Sequence, residues 1–368
     1  MKVNPNYLGR LFTEHELTEE ERQLAQRIPT MKEDKGQLFC QRCNSPVLEE
    51  WSLPIGAYYC RECLVLKRVR SDQDLYYFPQ ERFPQQEVLK WSGQLTPFQE
   101  KVSRGLIQAV EKKEPTLVHA VTGAGKTEMI YQVVAKVIDA GGAVCLASPR
   151  IDVCLELYKR LQNDFACQIS LLHGESEPYF RTPLVVATTH QLLKFYQAFD
   201  LLIVDEVDAF PYVDNPMLYH AVDNCVKESG LQIFLTATST DELDKKVKGG
   251  QLKRLSLPRR FHGNPLIIPS PVWLSGFDKT LEKHSLPYKL RQYIEKQRRT
   301  KYPLLLFVSE IQKGERLKDI LQHTFPNEKI GFVSSISEDR LDQVQAFRDR
   351  DLTILISTTI LERGVTFP

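Results

Sequence analysis

No stretch of these 368 residues approaches the run of about 18 uninterrupted apolar residues that a membrane-spanning helix needs. The opening Met1-Lys2-Val3-Asn4-Pro5-Asn6 lacks the apolar core of a signal peptide, so the expectation is an intracellular chain. Bulk charge of either sign is missing as well: 48 Lys and Arg against 47 Asp and Glu leave a net charge of +1. Any contact with nucleic acid must then come from local basic clusters, not from a field over the whole surface. Internal repeats and low-complexity tracts are also absent. What remains is 42% hydrophobic and 26% charged, a globular composition with room for two or three domains.

Structural disulfides have little place in a reducing compartment, so the eight cysteines need another account. Four of them form Cys40-x-x-Cys43 and Cys60-x-x-Cys63, with 16 residues between the pairs. Two such knuckles suit one tetrahedral zinc ion. Turn residues Asn44-Ser45-Pro46 and Pro54-Ile55-Gly56 lie where the chain must bend. Four thiolates leave no open coordination position, so the expected metal is structural. Cys145, Cys154, Cys167 and Cys225 are isolated, and Cys145 reads as a small core hydrophobe.

The most informative run is Ala120-Val121-Thr122-Gly123-Ala124-Gly125-Lys126-Thr127. An apolar strand, Thr116–His119, precedes it, and a helical stretch beginning at Glu128 follows. Strand, glycine-containing loop and helix are the context of a phosphate-binding loop. Backbone N–H groups of Thr122, Gly123, Ala124 and Gly125 can converge on phosphate oxygens at the positive end of the helix dipole. Lys126 would reach the β- and γ-phosphates of ATP, and the Thr127 hydroxyl would hold Mg²⁺.

A second apolar strand, Phe199–Val204, ends in Asp205-Glu206-Val207-Asp208. Ionised carboxylates lose much hydration at such a place unless they serve something. The economical assignment gives Asp205 to the magnesium ion and Glu206 to the attacking water as general base. Together the two motifs spell ATP hydrolysis.

Residues 1–91 have a separate character: a helix capped by Thr18, the zinc module, then an aromatic and proline-rich segment from Tyr76-Tyr77-Phe78-Pro79 through Phe83-Pro84 to Trp91. Arg61, Lys67, Arg68 and Arg70 lie just upstream. The rings stack on a single strand beside this basic track, dock the zinc module onto the next domain, or do both. Over 92–257 apolar strands alternate with helical stretches such as 153–163 and 214–227, the pattern of a covered parallel sheet. A linker is expected over 258–272, and a second alternating lobe over 273–368. The expected fold class is α/β, with two parallel-sheet lobes behind a small zinc-binding domain.

Two such lobes with these motifs resemble the superfamily 2 helicases and translocases, whose lobes are RecA-like. In that family Leu95-Thr96-Pro97-Phe98-Gln99 corresponds to an adenine-recognition motif, with Gln99 at the base edge. Ser148-Pro149-Arg150 and Thr188-Thr189-His190 look like motifs that touch the nucleic-acid backbone from the first lobe. The resemblance assigns Pro149, Arg150, Thr188 and Thr189 to DNA contact. Thr236-Ala237-Thr238 resembles the motif that couples hydrolysis to lobe movement, through Thr236 and Thr238. Ser309, Thr358 and Thr359 of the second lobe stand at further DNA-contacting motifs, and Gly364 at a nucleotide-contacting one.

The zinc module ahead of such a motor narrows the resemblance. Cys-Gln-Arg-Cys, Cys60-Arg61-Glu62-Cys63 and Asp205-Glu206-Val207-Asp208 look like the late-competence ComFA family of Gram-positive bacteria. The resemblance implies a cytosolic ATPase at the inner membrane face that pulls single-stranded DNA through a membrane channel during transformation. It also implies a phosphoribosyltransferase-like competence partner and leaves room for a homo-oligomer. Alternatives are a primosomal helicase for replication restart and a DNA-binding scaffold that ATP merely gates.

The sequence departs from the motor pattern in two places. Gly364-Val365-Thr366 stands where many relatives have Gly-Ile-Asp, and no Gln-x-x-Gly-Arg-x-x-Arg motif follows. The expectation is a truncated second lobe that hydrolyses slowly unless a neighbouring subunit supplies an arginine, since arginine fingers contribute on the order of 10³–10⁵ in rate. Three clusters have plainer readings. Lys296-Gln297-Arg298-Arg299-Thr300-Lys301 either satisfies a helix C-terminus or meets phosphates, and Pro258-Arg259-Arg260-Phe261-His262 is hinge, DNA contact or both. His119 is expected in the core, and His173-Gly174-Glu175 in a loop.

Overall fold

The computed structural model describes residues 3–260 and 269–361. The chain divides into two compact units, Met1–Leu266 and Ile267–Pro368.

The first unit opens with β1 (Leu11–Thr13), α1 (Glu19–Leu24), β2 (Gln26–Pro29), the hairpin β3 (Met31–Asp34) and β4 (Gln37–Cys40), and the short pair β5 (Tyr59–Cys60) and β6 (Val69–Arg70). Then β7 (Asp74–Tyr77) lies antiparallel between β1 and β2. Helix α1 starts where the sequence signals it. Thr18 accepts from the Glu21 amide at 3.3 Å, and Glu21 Oε2 accepts from the Thr18 amide at 2.8 Å, a reciprocal cap.

A seven-stranded parallel sheet follows. Its members are β8 (Thr116–Ala120), β9 (Val144–Ser148), β10 (Ile169–Leu172), β11 (Leu184–Thr188), β12 (Phe199–Val204), β13 (Val226–Thr236) and β14 (Lys253–Leu257). They lie in the order β10-β11-β9-β12-β13-β8-β14. Strands β9 and β11 are buried along their whole length, as a sheet covered on both faces requires.

Alternate residues feed two cores. Val144, Leu146, Val186 and Ile203 pack toward helices α2 (Pro97–Lys112), α3 (Lys126–Asp139) and α4 (Ile151–Asp164). Cys145, Ala147, Val185, Leu202 and Val204 share the other core with α5 (Pro216–Cys225) and, continuously, with Trp51, Val69, Leu75 and the four motif cysteines. The four-cysteine module thus fills part of one face of the sheet.

This packing accounts for the docking role of the aromatic segment. Tyr76 and Phe78 are buried, Tyr77 meets Tyr196 with ring centroids 4.7 Å apart, and Trp91 meets Tyr131 at 5.6 Å. The Arg181 guanidinium lies 4.0 Å from the Phe83 ring. The rings dock. Arg10 adds a half-buried anchor: it donates to the Lys194 carbonyl at 3.2 Å and faces the rings of Phe12, Tyr179 and Phe195, and desolvation lowers its pKa.

One boundary differs from expectation. The helix expected over 214–227 stops at Cys225, and β13 begins at once, because Val226 pairs with Phe199 of β12. Helix α6 (Asp241–Lys248) then leads into β14.

In the second unit α7 (Phe277–Glu282) and α8 (Tyr288–Arg298) precede β15 (Leu304–Phe307), α9 (Ile311–Thr324), β16 (Ile330–Val333), α10 (Arg340–Arg348) and β17 (Ile354–Ser357). These strands are parallel in the order β15-β17-β16. No helix among the described residues is long and apolar enough to cross a membrane.

Candidate nucleotide and metal sites

The lysine loop joins the carboxyl end of β8 to α3, where ligands of open parallel sheets bind. Gly123 and Gly125 have φ of +77° and +70°, which only glycine adopts without strain. The loop is closed from both sides: the Val121 amide donates to Leu257 O at 3.2 Å, and the Ala124 amide to Val121 O at 3.2 Å. Thr122 and Gly123 are exposed, Ala124 is buried, and Lys126 and Thr127 are half-buried in the first turn of α3. Lys126 Nζ stands 3.5 Å from Asp205 Oδ1. The structure therefore brings the two motifs together.

At the end of β12, Asp205 Oδ1 accepts the Glu206 amide at 2.8 Å. Glu206 has φ of +54°, a left-handed conformation disfavoured for a side chain with a Cβ and a frequent mark of working sites. Asp208 reaches the Thr236-Ala237-Thr238 turn: it accepts from the Thr236 hydroxyl at 2.7 Å and from the Thr238 hydroxyl. Thr236 Oγ1 also accepts the Thr238 amide at 3.1 Å. Acidic turn and coupling turn form one hydrogen-bonded unit.

Gln99 is placed differently from a free base reader. Its Oε1 accepts from the Thr96 amide and hydroxyl, both at 2.9 Å, and its Nε2 donates to Ala124 O at 3.0 Å and Gly125 O at 3.2 Å. The side chain both caps α2 and steadies the lysine loop. Beside it lies a cavity of about 240 Å³ lined by Thr96, Pro97, Phe98, Leu257, Arg259 and Arg260. The Arg259 guanidinium sits 4.8 Å from the centroid of the Phe98 ring. An aromatic face and two guanidinium groups beside a phosphate loop suit a planar base. Phe98 and Arg259 have a signal in the sequence, since one precedes Gln99 directly and the other belongs to the basic Pro258-Arg259-Arg260 run just past β14.

His119 is not a core histidine. It is half-buried, with Nδ1 2.7 Å from Arg254 Nη2 and Nε2 3.2 Å from Ala237 O. Arginine only donates, so Nδ1 accepts and Nε2–H donates to the coupling turn. Arg254 in turn pairs with Asp244 at 2.9 Å. A side chain of the strand that feeds the lysine loop thus holds the Thr236-Ala237-Thr238 turn.

The residues expected to meet DNA all lie at or just past carboxyl ends of strands, but they are not equally available. Pro149, Thr188 and Thr189 are buried, whereas Arg150 is half-buried at the start of α4. His190 is also half-buried, and burial holds its pKa below the ordinary histidine value, so it is a neutral hydrogen-bonding group at pH 7. In the second unit Ser309 and Thr359 are exposed, and Thr358 is fixed by its amide to Val333 O at 3.2 Å. Gly364, and the Phe261-His262 part of the expected hinge, lie outside the described residues.

The four cysteines Cys40, Cys43, Cys60 and Cys63 are fully buried, and their sulfurs all lie within 4.8 Å of one another. Cys40 and Cys63 Sγ are 3.8 Å apart, and Cys43 and Cys60 Sγ 3.5 Å. Zn–S bonds of about 2.3 Å in a tetrahedron put sulfurs roughly 3.8 Å apart, so the donor set fits zinc. Arg42, only 3% exposed, bridges the knuckles. It donates to Cys63 Sγ at 3.3 Å, Cys63 O at 3.1 Å, Leu66 O at 3.0 Å and Lys67 O. The knuckle also meets α5, where His220 Nε2 lies 3.1 Å from Gln41 O. In the sequence Arg42 is only a letter between two cysteines, and nothing local marks His220.

A DEAD/DEAH box helicase family model matches residues 96–245. Competence protein ComFA of Streptococcus pneumoniae is 82% identical over 368 residues, which is 100% of this chain and 85% of that protein. Competence protein ComFA of Bacillus subtilis is 38% identical over 343 residues, covering 91% of this chain and 74% of that protein. Among solved structures, Mss116p bound to ssRNA and AMP-PNP is similar at a TM-score of 0.56 and 19% identity, over 76% of this chain and 63% of that one. That last likeness speaks to the two-lobed fold.

Proposed function

Because the chain belongs to the ComFA family of competence proteins and carries a DEAD/DEAH box helicase domain, we propose that it is an ATP-driven translocase of single-stranded DNA in natural transformation. The observation that carries this function is the joining of three motifs at one end of a parallel sheet. Lys126 faces Asp205 at 3.5 Å, and Asp208 is bonded to Thr236 and Thr238.

ATP would lie with its phosphates on the amides of residues 122–127 and its base in the cavity between Phe98 and Arg259. Lys126 would then exchange Asp205 for a phosphate oxygen. Magnesium, held by Thr127 and Asp205, would neutralise charge on the phosphate oxygens. Glu206 accepts a proton from the attacking water. Asp208, bonded to Thr236 and Thr238, would pass a change in the acidic turn's contacts with nucleotide to that second turn. Arg150, the 188–190 turn, Ser309, Thr358 and Thr359 are the proposed contacts for the strand.

Zinc on Cys40, Cys43, Cys60 and Cys63 would lock the two knuckles and do no chemistry. The setting is the cytoplasm at the inner face of the membrane, beside a DNA channel and a phosphoribosyltransferase-like partner.

The test is ATP hydrolysis with no DNA, with single-stranded DNA and with duplex, using Lys126→Ala as the blank. Stimulation by single strands, with directional displacement of a protein block from the strand end, is expected. Stimulation only by forked duplex, with unwinding, would favour a primosomal-type helicase instead.

A further inference from the structure

The segment Tyr288–Lys301 carries Lys289, Arg291, Lys296, Arg298, Arg299 and Lys301 against the single carboxylate of Glu295, in a chain of net charge +1. Helix α8 buries Ile294 and turns its other side outward. Two of the six cations are spent locally, Arg291 on Glu295 at 2.8 Å and Arg298 on Glu328 at 2.9 Å. Lys289, Lys296, Arg299 and Lys301 are exposed and pair with no carboxylate among the described residues.

Between these cations stand two aromatic rings, Tyr288 at 74% and Tyr293 at 53% exposure. At 100° per residue, Tyr288, Gln292, Lys296 and Arg299 fall along one side of the helix, with Lys289 and Tyr293 beside them. The Tyr288 hydroxyl accepts from Gln292 Nε2 at 2.8 Å, which orients its ring. The turn after the helix is fixed by Gln297 Nε2 donating to Tyr302 O at 3.0 Å and the Thr300 hydroxyl to Gln297 O at 2.6 Å. Arg299 and Lys301 are therefore presented from ordered backbone.

A helix C-terminus explains cations in the last turn only. Lys289 lies in the first turn, where the dipole opposes a positive charge and no acid offsets it. Cations alone would suit any acidic partner. Alternating with exposed rings, they suit a chain that offers both phosphates and unstacked base faces. Because α8 leads into β15, this surface lies at the amino end of that strand, whereas Ser309 and Thr359 follow the carboxyl ends of β15 and β17.

We propose that the outer face of α8 is a second track for single-stranded nucleic acid, separate from the motif residues. It rests on the single-strand reading above and extends it.

The test measures binding of the full chain to two oligothymidylates, one of about 10 nucleotides, near a single site size, and one about four times longer. Tyr288→Ala/Tyr293→Ala should weaken the long strand roughly tenfold and the short strand less than about twofold. Lys289→Gln/Lys296→Gln, a substitution of exposed side chains that spares the fold, should flatten the salt dependence for the long strand. The slope of log K against log salt should change by about 1.4, or 0.7 per lost phosphate contact. Unchanged ATP affinity and thermal midpoint would show that the variants fold. Wild-type chain that binds single strands while both variants match it overturns the second track alone. Equal losses on short and long strands overturn its separateness. Wild-type chain that binds neither strand overturns this inference and the single-strand reading together.

Discussion

Gly125 is constrained twice. Its φ is +70°, and a Cβ there would come 2.4 Å from Gln99 Nε2, the amide that holds the loop's carbonyls. Gly125→Ala should lower ATP affinity at least about tenfold, since a left-handed L-residue costs roughly 1–2 kcal/mol before the clash is counted. Titration with a fluorescent ATP analogue reads this; unchanged affinity would mean that the loop rebuilds without Gln99. Arg42 gives a second prediction. Arg42→Met would leave the carbonyls of Cys63, Leu66 and Lys67 without their buried donor and take a cation from beside four thiolates. Zinc should then leave to a colorimetric chelator faster, with affinity lower by about 10–100-fold, the usual effect of losing an outer partner of a metal site. Arg42→Lys should lie between. Lys126, Asp205 and the four cysteines could be read from the sequence because their spacing is itself the chemistry. Arg42 and His119 could not, because their partners lie 21 and 118 residues away.

Helix starts are written locally. Thr96-Pro97-x-Gln99 and Thr18-x-x-Glu21 both form reciprocal caps at the positions their spacing marks. The two caps differ in what else they hold, which allows a matched comparison. Thr96→Ala and Thr18→Ala should each cost about 1 kcal/mol by chemical denaturation. Only Thr96→Ala should also weaken ATP binding, because the lost hydroxyl donates to Gln99 Oε1 at 2.9 Å and accepts the Gln99 amide at 3.4 Å. Equal ATP affinity in both variants would show that the Gln99 amide is held by the loop alone. The start of β13 was not legible in this way. Val226-Lys227-Glu228-Ser229-Gly230 has neither strand alternation nor β-branched density. It becomes strand because β12 offers a register for it, and Lys227 pairs with Asp200 at 2.8 Å. Tertiary pairing decides there, not propensity.

At the scale of the whole molecule, the sequence shows a zinc module and a motor lobe as successive pieces, and their composition does not say how they meet. The structure packs them into one core, in which the cysteine cluster, Trp51 and Leu75 are continuous with Cys145, Val185, Leu202 and α5. The Gln41 carbonyl between two metal ligands faces His220, which sits on the helix after the acidic motif. Zinc should therefore stabilise the first lobe as well as its own hairpins. Removing zinc by chelation, or replacing Cys43 by Ser, should raise hydrogen exchange in α5 and in strands β9, β11 and β12, whose side chains line that shared core. The second unit, residues 269–361 of the described chain, has its own clusters around Leu321, Ile354 and Ile356 and should keep its protection. Faster exchange confined to residues 31–70 would make the module an independent domain that merely rests on the lobe. If the effect instead reaches α5, ATP binding should weaken on zinc loss even without DNA, because α5 follows directly from the turn that carries Asp205, Glu206 and Asp208. A titration of ATP before and after chelation, on the same sample, decides between the two.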